Sequence, residues 1–199
     1  MYLPSLPYLS LTLLLSPLLS PTTALPSPAL PRPPPQPTSP PSVPTTLNIT
    51  AITANAARQS ILQCWAVIPD FDLSDEPGTA GAASVNLGYA ASDRNVSFTV
   101  LPPGFDGGLH VAPVKQWVLF TTGFARISNP LNPQIGLIPG GRNGLIIAAD
   151  TADVSDDGHI TVYPSREQTM ALQVPFRDGV VPPHRVVHDG ACEGDEIWE

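Results

Sequence analysis

Two stretches hold the side chains best suited to chemistry. The first, GGLHVAPVKQWVLFTTGFARI (Gly107 to Ile127), sets one imidazole, His110, and one amide, Gln116, in a largely apolar run. An imidazole can ligate a metal or move a proton near neutral pH. An amide can donate a hydrogen bond to a developing oxyanion, which a carboxylate cannot do. The second stretch, GLIIAADTADVSDDGHITV (Gly144 to Val162), ends an apolar run on Asp150 and resumes at His159. Each of these residues also has a plain reading: His110 as a strand starter, Asp150 as a turn former, His159 as a loop residue.

Alternation decides which way these groups point. If Leu109 to Ile127 is extended, His110, Ala112, Val114, Gln116, Val118 and Phe120 share one face, and Val111, Lys115, Trp117 and Leu119 the other. Lys115 belongs in water, so the His110 face turns inward. Ile146, Ala148 and Asp150 oppose Leu145, Ile147 and Ala149, which leaves the carboxylate at a strand end. On the last long segment, Gln168, Met170, Leu172 and Val174 alternate as a polar group followed by core-like residues.

The positioning elements are β-strands. Runs rich in Val, Ile, Phe, Tyr and Thr span residues 61–68, 84–89, 96–101, 111–127, 145–149, 160–163 and 169–176. DEPGTAGA, PPGFDGG, NPLNP, PGGRNG and DVSDDG punctuate them. TANAARQS, before the first run, reads as a short helix or a linking turn. With no helical stretches to form crossovers, the expectation is an all-β sandwich or barrel.

LHVAPVKQWVLFTTGFARI followed by GGRNGLIIAADTADVSDDGHITV resembles the small single-domain cupins of bacteria and of fungal metabolite clusters, over roughly residues 109–162. The resemblance implies an antiparallel β-barrel of the jelly-roll, or double-stranded β-helix, kind that encloses a small molecule or a metal. The cupin pattern has two His two residues apart, then an acid, then a third His. His110 stands at the first His, Ala112 at the second, Gln116 at the acid and His159 at the last. A divalent ion, zinc or iron, would thus have His110, Gln116 and His159 as ligands. Without a metal, His110 or His159 would act as general acid or base, with Asp150 as orienting partner and Gln116 as oxyanion donor. The resemblance points to a lyase or isomerase of fungal secondary metabolism that dehydrates, cyclises, isomerises or decarboxylates a small organic substrate. An iron-dependent dioxygenase and a secreted binding or structural module that has lost its chemistry are the rivals. Cupin barrels often pair through an edge strand, so a homodimer is expected.

The remaining sequence bounds this reading. No charged residue precedes Arg32, and fourteen of the 26 prolines precede residue 47. Residues 1–24 read as a secretory signal, with an apolar run too short to span a bilayer. Residues 25–57 read as a proline-rich linker, 58–190 as the barrel and 191–199 as an acidic tail. Two Asn-x-Ser/Thr sequons, at Asn48 and Asn95, fit a secreted glycoprotein. Cys64 and Cys192 allow either one bridge, worth about 3–5 kcal/mol by chain entropy, or two thiols. A net charge of −8 without basic clusters argues against nucleic-acid partners, and no apolar run is long enough for a membrane span. His184 and His188, flanked by Pro182, Pro183 and Gly190, read as surface histidines. No nucleophile elbow or phosphate loop is present.

Overall fold

The structure is a computed structural model and describes residues 44–197. Thirteen strands form, and no α-helix occurs among these residues. They are β1 (Asn48–Ala54), β2 (Ser60–Val67), β3 (Asp72–Leu73), β4 (Ala83–Ser84), β5 (Ser97–Leu101), β6 (Phe105–His110) and β7 (Gln116–Thr122). The second half supplies β8 (Phe124–Asn129), β9 (Asn132–Pro139), β10 (Leu145–Ala148), β11 (His159–Tyr163), β12 (Thr169–Pro175) and β13 (His184–Asp189).

Two sheets pack face to face. The larger runs β13-β2-β1-β10-β7-β12-β5 and the smaller β6-β11-β8-β9, with β3–β4 a separate short pair. The ladders of the two sheets stay separate, so of the two forms that the strand pattern allowed, sandwich or barrel, the arrangement is a β-sandwich. One pair also departs from the expected antiparallel pattern: β1 runs parallel to β10, Thr50 opposite Ile146.

The sandwich has a core on each side of its larger sheet. Between the sheets lie Leu62, Val118, Phe120, Ile127, Ile138 and Ile146. On the far side, Ile49, Trp65, Val67, Trp117, Ile147 and Phe176 are covered by Phe71, Val85, Leu87 and Val181. Trp117 donates its indole N–H to the Leu87 carbonyl at 3.3 Å, which ties this cover to β7. The central strands therefore read as nearly continuous apolar runs, since both their faces are dry. Alternation still assigned β7 correctly: Gln116, Val118 and Phe120 face the smaller sheet.

On β12 the same two-sided burial inverted the reading. Thr169, Ala171 and Gln173 face the interior, while Val174 packs in the outer cluster. The run 111–127 is broken at Gly123, whose φ of +76° turns β7 into β8, and where a Cβ would lie 2.7 Å from the Thr169 Cα. Strands β6, β9 and β13 form from residues that carry turn-like Gly, Pro and Asp. The 84–89 run contributes only Ser84 to a strand.

The folded unit also begins and ends beyond its expected bounds. Strand β1 lies within the stretch read as linker, because NITAITA follows the last proline of the run and pairs with β2 along its whole length. Within TANAARQS, residues 55–59 form the turn between β1 and β2: Asn55 Oδ1 accepts from the amides of Ala57 and Gln59, and Arg58 sits at φ +59°. Of the sequons, Asn48 is 1% exposed and donates its amide to the Glu196 carbonyl, whereas Asn95 is exposed. The leader lies outside the described residues.

At the other end, the segment read as an acidic tail is folded. Cys192 is bonded to Cys64, 128 residues away, and its amide donates to Thr50 Oγ1 at 3.0 Å. The bridge agrees with a secreted protein without establishing secretion. The two histidines of β13 are engaged as well: His184 stacks on Trp65 with ring centroids 3.6 Å apart, and His188 lies 3.3 Å from the Glu196 carboxylate. The Asp189 carbonyl, ahead of Glu196, raises the His188 pKa, and slight burial opposes them.

Two outcomes are expected. Reducing the bridge, or replacing both cysteines by alanine, should cost about 4–5 kcal/mol in denaturant unfolding, because the closed loop is long. An unchanged midpoint would contradict this role. The raised His188 pKa means its contact stabilises fully below about pH 6.5 and is lost as pH climbs through the folded value. Protection factors of the amides at residues 194–197, taken relative to the intrinsic exchange rate at each pH, should fall over that rise.

Candidate functional site

The pairing of β6 with β11 sets His110 directly opposite His159. Their ring centroids are 4.5 Å apart and their planes are inclined by 57°. Gly158 makes this register attainable. It adopts φ +71°, and a Cβ there would sit 2.5 Å from the His110 carbonyl oxygen. The Gly-His pair at the start of β11 thus allows the approach of the two strands.

Each imidazole is held from behind. His110 Nδ1 lies 3.0 Å from the Gly108 carbonyl, which can only accept, so Nδ1 carries the proton. His159 Nδ1 lies 2.6 Å from Asp150 Oδ2. With Nδ1 donating to a carboxylate, the Nε2 of a neutral ring holds a lone pair, and neither Nε2 has a partner among the described residues. His159 is 4% exposed and Asp150 0%, whereas His110 is exposed at the edge. Asp150, expected at a strand-end mouth, is instead sealed behind His159.

A polar network fixes Asp150. Ser60 Oγ donates to Asp150 Oδ2 at 2.7 Å and lies 2.7 Å from Ser155 Oγ. Ser155 Oγ accepts the Gly158 amide and approaches Asp157 Oδ1, which also accepts the Ser60 amide. Arg58 clamps this loop from outside through Asp156 Oδ1 and the carbonyls of Asp153 and Ala152. That hydrogen bond with Arg58 lowers the Asp156 pKa. The acid-rich loop, which in the sequence reads as punctuation between strands, is therefore the scaffold of the Asp150–His159 pair.

Between the sheets a cavity of about 300 Å³ is lined by His110, Gln116, His159, Thr161, Tyr163 and Gln173. Ile52, Val118, Phe120, Ile127 and Ile146 complete its walls. Gln116 begins β7 between Ala148 and Pro175 and is 8% exposed, and its side-chain amide has no hydrogen-bond partner among the described residues. Burial raises the Tyr163 pKa, which keeps its phenol neutral. No Lys, Arg, Asp or Glu lines this space.

Three of the four candidates, His110, Gln116 and His159, thus share one cavity, and Asp150 supports the third from behind. Sequence reasoning missed Ser60, Ser155, Thr161, Tyr163 and Gln173. Thr161 and Tyr163 follow His159 at alternate positions and were accessible from the β11 period. Ser60 and Ser155 have no local signal, because only the packing of the 151–158 loop on β2 unites them.

For a metal, His110, Gln116 and His159 offer two imidazole nitrogens and an amide oxygen. Both rings have the second nitrogen anchored, as metal-ligating histidines do. No carboxylate faces the cavity to balance an ion's charge. A separate cluster brings Cys64 Sγ, His188 and Glu196 within 4.8 Å of one another, but the Cys64 sulfur belongs to the disulfide and is no thiolate. Compared with known proteins, the chain matches no family model and no curated protein sequence.

Because Asp150 is fully buried and hydrogen-bonded, Asp150→Ala should destabilise the fold by about 3 kcal/mol in denaturant unfolding, leaving His159 Nδ1 unpaired and Ser60 Oγ with Ser155 Oγ alone. A change under about 0.5 kcal/mol would mean the network carries no load.

Proposed function

We propose that the cavity is the active site of an enzyme acting by proton transfer on a small organic molecule, within a cupin-like jelly roll. The observation that carries this is the buried Asp150–His159 pair, whose free Nε2 faces a cavity shared with His110 and Gln116. His159 Nε2 takes a proton from carbon beside a substrate carbonyl. Asp150 stabilises the imidazolium so formed. The electron pair moves onto the carbonyl oxygen, where the Gln116 amide donates a hydrogen bond to the developing oxyanion. His110, exposed at the edge, takes a proton from solvent onto Nε2 and passes it to another substrate atom or to a leaving group, and His159 gives its own proton to solvent once the product has left. Lyase and isomerase reactions through an enolate, namely dehydration, cyclisation and isomerisation, use these same steps, and decarboxylation would use the oxyanion donor and the returned proton, with carbon dioxide leaving in place of the abstracted proton.

A place in fungal secondary metabolism rests on the resemblance of residues 109–162, as does the cupin assignment itself. Secretion is in keeping with the disulfide, and no helix among the described residues is long and apolar enough to cross a membrane. The free edges of β5 and β13 offer places for the expected homodimer. Convergence of the polar groups on one cavity supports an enzyme over a binding module.

The anchored Nδ1 atoms favour one second reading, a zinc or iron ion on His110, Gln116 and His159. Such an ion would polarise a bound carbonyl, and with iron the dioxygenase reading would apply. The chain's own part would be unchanged: Asp150 and the Gly108 carbonyl orient the rings.

Deuterium uptake from D2O at the carbon beside the ketone of 4-chromanone, followed by proton NMR, tests the proposal. The protein should accelerate uptake, and His159→Ala should slow it by about 10²-fold or more with retained folding. Equal rates with and without protein would overturn proton transfer. Elemental analysis of the purified protein decides the metal reading: about one zinc or iron per chain, with uptake lost on chelation, supports it, and uptake unaffected by chelation counts against it.

A further inference from the structure

Resting on the reading of this cavity as the substrate site, we infer that it selects a neutral, mostly apolar molecule with two oxygen acceptors, and that Gln173 is the specificity-determining residue that reads the second oxygen. Gln173 stands on β12 opposite Val118 of β7 and Ser97 of β5, on the face that meets the smaller sheet. Its Oε1 accepts from Ser97 Oγ and Thr99 Oγ1, each at 3.2 Å. Those two bonds occupy both lone pairs of the carbonyl and fix which way the amide is turned. Its NH₂ group has no partner among the described residues, and the residue lines the cavity.

Gln116 supplies a second unpartnered amide from the neighbouring strand. Gln116 pairs with Pro175 and Gln173 with Val118, so the glutamines are diagonal neighbours, about 7–8 Å apart at the backbone. Two donors from separate strands and diagonal positions suit one ligand with two acceptor oxygens.

Charge narrows the class further. The lining holds no Lys or Arg, and the Asp150 carboxylate stands behind His159. A carboxylate or phosphate entering here would lose its water without a counter-charge. The aliphatic walls, with Phe120 and Tyr163, favour a flat apolar body instead. At interior packing density the volume admits about a dozen non-hydrogen atoms.

Three probes of similar size test this by calorimetry and by ligand-observed NMR: 4-chromanone with two oxygens, 1-tetralone with one, and cinnamate with a charge. The intact chain should bind 4-chromanone about tenfold more tightly than 1-tetralone, and the carboxylate at least about tenfold more weakly than 4-chromanone. Gln173→Leu should bring 4-chromanone down to the 1-tetralone level and leave 1-tetralone unchanged. The double change Ser97→Ala, Thr99→Ala, which frees the amide to rotate, should do the same in part. Unchanged 4-chromanone affinity in Gln173→Leu, equal affinity for the carboxylate, or no binding of either neutral probe would overturn the inference. Binding in the expected order without deuterium uptake would instead sink proton transfer and leave the specificity intact.

Discussion

The arrangement depends on one buried contact, the 2.6 Å hydrogen bond between the Asp150 carboxylate and the His159 ring. A carboxylate removed from water is costly unless hydrogen-bonded, and Asp150 has no Lys or Arg beside it. Its support comes from Ser60 and His159 on Oδ2, while Oδ1 has no partner among the described residues. A single loop, residues 151–158, carries the chain from Asp150 back to His159. Its folding against β2 is secured by Ser155, Asp157 and the Arg58 clamp. A buried polar network of this kind, partly unsatisfied and placed behind a cavity, is more readily understood as a device for chemistry than as a source of stability.

From that contact the architecture follows outward. His159 opens β11, and pairing with β6 brings His110 alongside it through the space that Gly158 leaves. The larger sheet faces this pair with Gln116 and Gln173 on adjacent strands. The C-terminal segment, fastened by the Cys64–Cys192 bridge, lies over β1 and covers Asn48 and Thr50. The disulfide and the outer cover of Phe71, Val85 and Leu87 hold the larger sheet, and the larger sheet holds the glutamines.

Part of this was legible in the sequence. Gln116, Val118 and Phe120 could be placed on one inward face, and β7 obeys that alternation, whereas His110, expected on the same strand and face, stands on β6 of the smaller sheet because the chain turns at residues 111–115. The all-β class followed from strand-formers between Gly and Pro clusters. Alternation failed on β12, where both faces are covered and apolar residues carry no directional information, so Gln173 was overlooked. Strand β1 was concealed by its nearness to the proline run, and β6 by glycines that serve a tight ladder rather than a loop. Ser60 and Ser155 lie 95 positions apart in the chain and meet only after folding. The sandwich, in place of a closed barrel, and the parallel β1–β10 pair depend on long-range pairing that no local pattern encodes.

The central claim is that His159 presents an unprotonated Nε2 to the cavity because Asp150 holds its Nδ1 proton. Long-range proton–nitrogen correlation NMR of the ¹⁵N-labelled protein, at a pH where the ring is neutral, reads this tautomer directly. The account predicts Nδ1–H for His159, with a shift of the population toward Nε2–H in Asp150→Asn. An Nε2–H tautomer in the unaltered protein would contradict it, since that nitrogen could then neither accept a proton nor bind a metal.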